Sequence, residues 1–180
     1  MLSPTTRASR PITDRVKESL FSVLYGYDLP ADAIVADLFC GVGSLGLESL
    51  SRGARFVTFV EKDPKIIATL NTNIEKAGFV QNSKVVRTDA FGIAPAIGTG
   101  EEDYDLVFVD PPYADSRNVR ADSPLSGLLD LWVDLVAANG FVIVRTSKDV
   151  TLLDQYGQFR IEERREWGTM AVTVLAKSKT

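Results

Sequence analysis

The chain has 180 residues, 45% of them hydrophobic, enough for one apolar core in a single domain, and no run of membrane length and no charged-then-apolar leader, which predicts a cytoplasmic setting. A single cysteine, Cys40, excludes an internal disulfide, and the absence of histidine argues against a structural zinc or other metal site. The net charge of −4 argues against broad, non-specific binding of nucleic acid.

Charge is unevenly spread. Residues 1–20 hold Arg7, Arg10, Arg15 and Lys17 against Asp14 and Glu18, a local +2 that leaves −6 on the remainder. A basic arm beside an acidic body can direct a polyanion to one face. Charge alone supports an ordinary solvated helix start equally well. Thr13 or Asp14 can cap a helix with Val16, Leu20, Phe21 and Leu24 on one face, ending near Gly26. Residues 1–30 therefore read as an arm and helical appendage to a core spanning 31–180 of one domain.

From there the chain alternates strand and helix. A buried strand over 33–39 runs into Cys40-Gly-Val-Gly-Ser-Leu-Gly46, a glycine-rich turn opening a helix over 44–52. Gly41 and Gly43 allow positive φ and close backbone approach, and the helix start favours an anionic group of a nucleotide-like cofactor. Cys40 reads as a small residue filling the turn rather than as a nucleophile. The strand over 56–61 ends in Glu61, about twenty residues past the glycines, where an α/β cofactor domain places its ribose-binding carboxylate. A helix over 64–77 stops at Gly78, and a strand over 84–88 leads to Asp89 and Ala90, with Asp89 placed to accept from an adenine amine. Taken singly, each acid reads as a solvated loop residue. At successive strand ends of an open α/β sheet, Asp37, Glu61, Asp89 and Asp110 converge on one crevice.

The strand over 104–110 ends in Asp110-Pro-Pro-Tyr113, which combines a carboxylate, a rigid turn and an aromatic face. An exocyclic base amine is a weak nucleophile because its lone pair is delocalised into the ring. The Asp110 carboxylate and the Pro111 carbonyl can accept its two hydrogens and turn the nitrogen toward tetrahedral geometry. Pro111 and Pro112 fix φ and remove two competing donors, while stacking on Tyr113 contributes roughly 1–3 kcal/mol. Alignment of the reactants lowers the barrier by about 7–11 kcal/mol, so no strong base is needed. These residues predict methylation of a base amine; the competing reading is a plain strand-ending turn. Beyond them, Asp115 to Ser123 form a polar loop whose Arg117 and Arg120 can grip phosphates. A helix over 125–138, with Leu128, Leu131, Trp132 and Leu135 as a core stripe, precedes a strand over 140–145. A hairpin of 159–165 and 170–176 closes the chain. The pattern is an α/β doubly wound sheet.

The Asp37-Leu-Phe-Cys-Gly-Val-Gly-Ser44 loop, Glu61, Asp89 and Asp110-Pro-Pro-Tyr113 resemble an S-adenosylmethionine-dependent methyltransferase of the amino-methylating class. Arg10-Pro-Ile-Thr-Asp-Arg-Val-Lys-Glu-Ser-Leu-Phe21, Leu45 to Ala54 and Glu61-Lys-Asp63 narrow the resemblance to the bacterial 16S ribosomal RNA guanine-N2 methyltransferase family, over most of the chain. The resemblance implies a mostly parallel seven-stranded Rossmann-like sheet. It implies that Asp37 to Gly43, with Phe39, Gly41 and Gly43, line the methionine end of the cofactor, that Glu61 and Lys62 hold its ribose, and that Asp89 and Ala90 meet its adenine. Asp110, Pro111, Pro112 and Tyr113 would bind the guanine, and S-adenosylhomocysteine would be the product, with no metal. Arg7, Arg10, Arg15, Arg117 and Arg120 would contact ribosomal RNA within a partly or fully assembled small subunit, the enzyme acting as a monomer. The chain departs from the family twice. It starts almost directly at the Arg-Pro-x-Thr-Asp-Arg stretch, without the basic, glycine-containing segment that usually precedes it, and Arg145-Thr146 ends a strand where the family leads one to expect an acid. Two other functions fit the same motifs: a DNA adenine-N6 or cytosine-N4 methyltransferase, and a non-catalytic RNA-binding module that kept the fold.

Overall fold

The computed structural model describes residues 12–92, 103–112 and 115–178. Among these, four α-helices and eight strands form three layers around one sheet. In chain order they are α1 (Asp14–Tyr25), β1 (Ile34–Leu38), α2 (Ser44–Ser51), β2 (Phe56–Glu61), α3 (Pro64–Ala77), β3 (Ser83–Arg87), β4 (Tyr104–Val109), α4 (Pro124–Trp132), β5 (Val136–Ser147), β6 (Gln155–Tyr156), β7 (Phe159–Trp167) and β8 (Met170–Lys177). The sheet order is β3-β2-β1-β4-β5-β8-β7-β6. The first five strands pair in parallel, and β8, β7 and β6 add antiparallel pairs. No helix of the described residues is long and apolar enough to cross a membrane.

Alternation along the strands divides the core between the two sheet faces. Leu106 and Phe108 of β4 join residues of α1, α2 and α3 on one face, while Val107 and Val109 join Leu125, Leu128, Leu129 and Trp132 of α4 on the other. Crossover helices on both faces explain why β1 is buried along its whole length.

Three sequence expectations are corrected. The sheet has eight strands, not seven, and it is mixed, with three antiparallel pairings beside four parallel ones. The added strand, Gln155–Tyr156, is too short to show a period of two, and it forms because Gly157, at φ 53°, turns the chain so that Tyr156 pairs with Phe159. Second, the helix expected over 125–138 ends at Trp132, and β5 starts at Val136 instead of 140. Val136 pairs with Tyr104 and an irregularity follows before Leu106 pairs with Phe141. At Gly140 a Cβ would lie 2.9 Å from the Tyr104 carbonyl oxygen, so the backbones approach too closely there for a side chain. Leu131, expected in the core stripe, is 47% exposed, while Leu128 and Trp132 are buried. Third, α1 is integrated in the core and does not stand off as an appendage. Leu20, Phe21 and Leu24 are buried in the same cluster as Phe108, Ile143 and Val172, with the Phe21 and Phe108 rings 6.1 Å apart. Arg52, the C-cap of α2, covers the Phe21 ring at 4.8 Å and pairs with Glu48, which also pairs with Lys17 of α1. Of the two cap candidates, Thr13 is the N-cap, accepting from the Val16 amide, and α3 stops at Gly78 as expected, with that residue in the left-handed conformation.

Candidate active site

The carboxyl ends of β1, β2, β3 and β4 lie side by side in the sheet, which brings together the loops that follow them. After β1 the chain passes through positive φ three times in five residues, at Phe39 (61°), Gly41 (55°) and Gly43 (88°). Gly43 is the N-cap of α2, and a Cβ there would meet Leu70 Cδ1 at 2.5 Å. Gly41 is different: a Cβ would meet no atom within 4 Å, so its backbone is open to a ligand. Phe39 holds a conformation costly for a residue with a Cβ, and its ring is braced by Phe91 with centroids 4.8 Å apart. Cys40 is buried, and burial, reinforced by the Asp37 and Glu61 charges, pushes its thiol well above the ordinary range. That suits a packing residue, not a nucleophile.

Asp37 is 1% exposed, and its Oδ2 accepts the Gly46 amide of α2 at 2.8 Å. It thus ties the strand to the start of the helix. Burial raises its pKa from 3.8 to about 7; the Gly46 N–H and Arg145 oppose the rise, while Asp110 and Glu61 add to it. The folded protein therefore retains this proton to about pH 7, whereas the unfolded chain releases it near 3.8. Its contribution to stability is present below about pH 4 and is lost as pH rises to about 7, with a slope of up to about 1.4 kcal/mol per unit. Asp37→Asn keeps an acceptor for Gly46 and is expected to flatten this slope. Urea unfolding of both proteins across that interval checks it, and an unchanged slope assigns the dependence elsewhere.

Glu61 at the end of β2 braces the glycine loop. Its Oε2 accepts the Gly41 amide at 3.1 Å, and Oε1 accepts those of Lys62 and Asp63 at 2.8 and 2.9 Å. A carboxylate offers about four lone-pair directions, so Oε2 keeps one for a hydroxyl. Asp89 pairs with Lys62 at 3.1 Å and accepts the Phe91 amide at 3.1 Å, and Ala90 beside it is buried. Burial raises the Asp89 pKa, but Lys62 and the Phe91 N–H outweigh it and hold the acid below the usual range.

Asp110 follows β4 directly, and its Oδ1 accepts from Arg145 Nε at 2.5 Å. The pair is largely buried, with the Arg145 and Asp110 side chains 10% and 17% exposed. Burial raises the Asp110 pKa and the guanidinium opposes it. Pro111 is buried, and the Pro112 carbonyl accepts the amides of Asp115 and Ser116, closing a turn. Beyond it, the Val119 carbonyl accepts the Tyr156 hydroxyl at 3.0 Å. Arg15, Arg117 and Arg120 are exposed, and Arg120 pairs with Asp122 at 3.7 Å. Arg7, Arg10 and Tyr113 lie outside the described residues.

Arg145 is the residue whose role the sequence reading missed. It registered only as a departure from a family pattern. The available signal was a cation ending the apolar run Phe141 to Val144, since a charge buried at that position needs a carboxylate partner. Which carboxylate depends on register: Val109 pairs with Val144, so the next residues, Asp110 and Arg145, stand opposite. Among the described residues no three His, Cys, Asp or Glu side chains gather into a group able to hold a metal.

A family model described as "Conserved hypothetical protein 95" matches residues 1–176. "Putative rRNA methyltransferase YlbH" of Bacillus subtilis is 31% identical over 94% of the chain and 89% of its own length. "Ribosomal RNA small subunit methyltransferase D" of Escherichia coli is 36% identical over 77% of the chain, and the match spans 62% of that relative, less than two thirds. Among solved structures, "Putative methyltransferase yhhF from Escherichia coli" superposes with a TM-score of 0.79 at 28% identity, covering 98% of this chain and 92% of the other.

Proposed function

Because the chain belongs to the Conserved hypothetical protein 95 family and has a Rossmann-like methyltransferase fold, we propose that it transfers the methyl group of S-adenosylmethionine to the N2 amine of a guanine in small-subunit ribosomal RNA. The observation that carries the proposal is the Asp110 carboxylate, held at the end of β4 by Arg145 and followed by two prolines. One of its oxygens is gripped, and the other accepts an amine N–H and orients the nitrogen lone pair. The backbone carbonyl of Pro111 takes the second hydrogen.

The residues at the neighbouring strand ends suit the cofactor. Its sulfonium and ammonium charges would suit an acidic crevice, Glu61 retains capacity for a ribose hydroxyl, Asp89 and Ala90 would hold the adenine, and Gly41 would admit a close approach. Phe39, Gly43 and Lys62 complete this wall. When bound, S-adenosylmethionine supplies a methyl group on a sulfonium, so formation of the N–C bond is matched by cleavage of the S–C bond and loss of one proton from the amine. Asp110 is the group placed to receive that proton. The relatives named as ribosomal RNA methyltransferases support the RNA substrate. An acidic monomer with a short basic arm, Arg7, Arg10 and Arg15, and the loop cations Arg117 and Arg120 neutralises few phosphates, which favours an assembled cytoplasmic subunit over naked RNA.

Labelled methyl transfer to total RNA, total DNA and small subunits from cells lacking the protein, followed by nucleoside mass spectrometry, tests the reading. N2-methylguanosine in small-subunit RNA is the expected product. Label in DNA adenine or cytosine assigns the DNA reaction instead, and cofactor binding with no transfer to any acceptor identifies a binding module.

Glu61→Ala is expected to weaken the cofactor by about 1.5–3 kcal/mol, the size of a charge-assisted hydrogen bond, without altering the base modified. Titration calorimetry measures the loss, and unchanged affinity removes Glu61 from the cofactor wall.

A further inference from the structure

Two features of the Asp110 and Arg145 pair go beyond a generic ion pair. Their geometry is fixed by strand register, because each directly follows a paired residue, Val109 and Val144, at the open end of the sheet. The contact on the carboxylate is made at Oδ1, which accepts from Nε. Asp110 is further anchored through its own amide, which donates to the Leu38 carbonyl at 3.4 Å. Held in this way, the carboxylate has a defined oxygen left for a ligand.

We infer that Arg145 is a positioning residue for methyl transfer: by clamping Oδ1 it keeps Asp110 a charged acceptor and directs Oδ2 to the acceptor amine. The inference rests on the reading that Asp110 engages that amine. The electrostatics make the clamp necessary. Asp110 faces Arg145 from β5, and its charge, with that of Glu61 from β2, raises the pKa of the buried Asp37 of β1. Burial favours a protonated Asp110, and a protonated carboxyl presents a donor where the amine needs an acceptor. The Arg145 guanidinium is the cation opposing this, and it cannot be deprotonated at working pH.

Arg145→Gln and Arg145→Lys, each assayed on small-subunit particles from about pH 5 to pH 9, test the role. In the glutamine variant kcat is expected to fall about tenfold to a hundredfold, the acid limb of the kcat profile to move to higher pH, and cofactor affinity by calorimetry to stay within about threefold. Lysine, which restores the charge without the planar fork, is expected to recover the acid limb and part of the rate. An unchanged profile in Arg145→Gln overturns the inference, as does a loss of rate that merely follows a loss of cofactor binding. If the glutamine variant does not fold, the comparison moves to Asp110→Asn, whose amide needs no cation. Adding Arg145→Gln there should change neither residual rate nor pH profile, and a further large fall in rate overturns the role. The outcomes separate the two readings: an active Asp110→Ala defeats the amine-binding role of Asp110, whereas an inactive Asp110→Ala beside a fully active Arg145→Gln defeats only the positioning role.

Discussion

Asp110→Ala is expected to reduce methyl transfer by at least about 10²–10³-fold in kcat, the size of loss found when a group aimed at the reacting centre is removed. On the proposed reading the variant lacks the acceptor for the amine, and it removes the carboxylate that pairs with Arg145. That second effect costs stability, because breaking one side of a buried pair leaves an uncompensated charge. Asp110→Asn separates the two effects, since the amide keeps a neutral acceptor in place and leaves both strands intact. Cofactor affinity should stay within a few-fold in both, as the contacts of the glycine loop run through Glu61 and Asp37. Single-turnover transfer and calorimetry on the same preparations measure both quantities, and an alanine variant with most of its activity rules out the role.

Gly43→Ala is expected to be the most destabilising single change in the cofactor loop. The residue sits at φ 88°, where an added Cβ costs about 1–2 kcal/mol. The same Cβ would meet Leu70 Cδ1 at 2.5 Å and Leu47 Cδ1 and Phe59 Cε1 at 3.3 Å. Leu70 and Phe59 are fully buried, so they yield only by disturbing the α3 and β2 packing, for about another 1–3 kcal/mol. The combined loss of about 2–5 kcal/mol is a large part of a typical domain's stability. It should lower the urea midpoint at unchanged slope, together with cofactor affinity, because Gly43 starts the helix that Asp37 holds. Gly41→Ala is the control: its φ is strained but its Cβ would meet nothing within 4 Å, so only the conformational cost remains. Equal losses at the two positions contradict the packing account.

Local pattern carried much of this protein. The continuous apolar runs of β1, β2 and β4, the 3.6-residue stripe of α1 and the Gly78 stop of α3 are short-range signals, legible because each depends on residues within a few positions. The acids at successive strand ends followed from the order of strands and helices along the chain, since a parallel sheet aligns its carboxyl ends. What the tertiary structure alone decided is which of those acids do what. Asp37, read as part of a cofactor wall, is buried and holds Gly46, and Glu61 supports Gly41. The two-residue β6 and the early start of β5 escaped because pairing across the sheet, not propensity, makes them strands. α1 was misjudged for a related reason: a stripe shows that a helix buries one face, but not that this face covers Phe108 and Val172. Arg145 shows the limit most clearly. Its charge was visible in the sequence, but its partner lies 35 positions away and is set by the register of β4 against β5, a long-range quantity that no window of sequence contains.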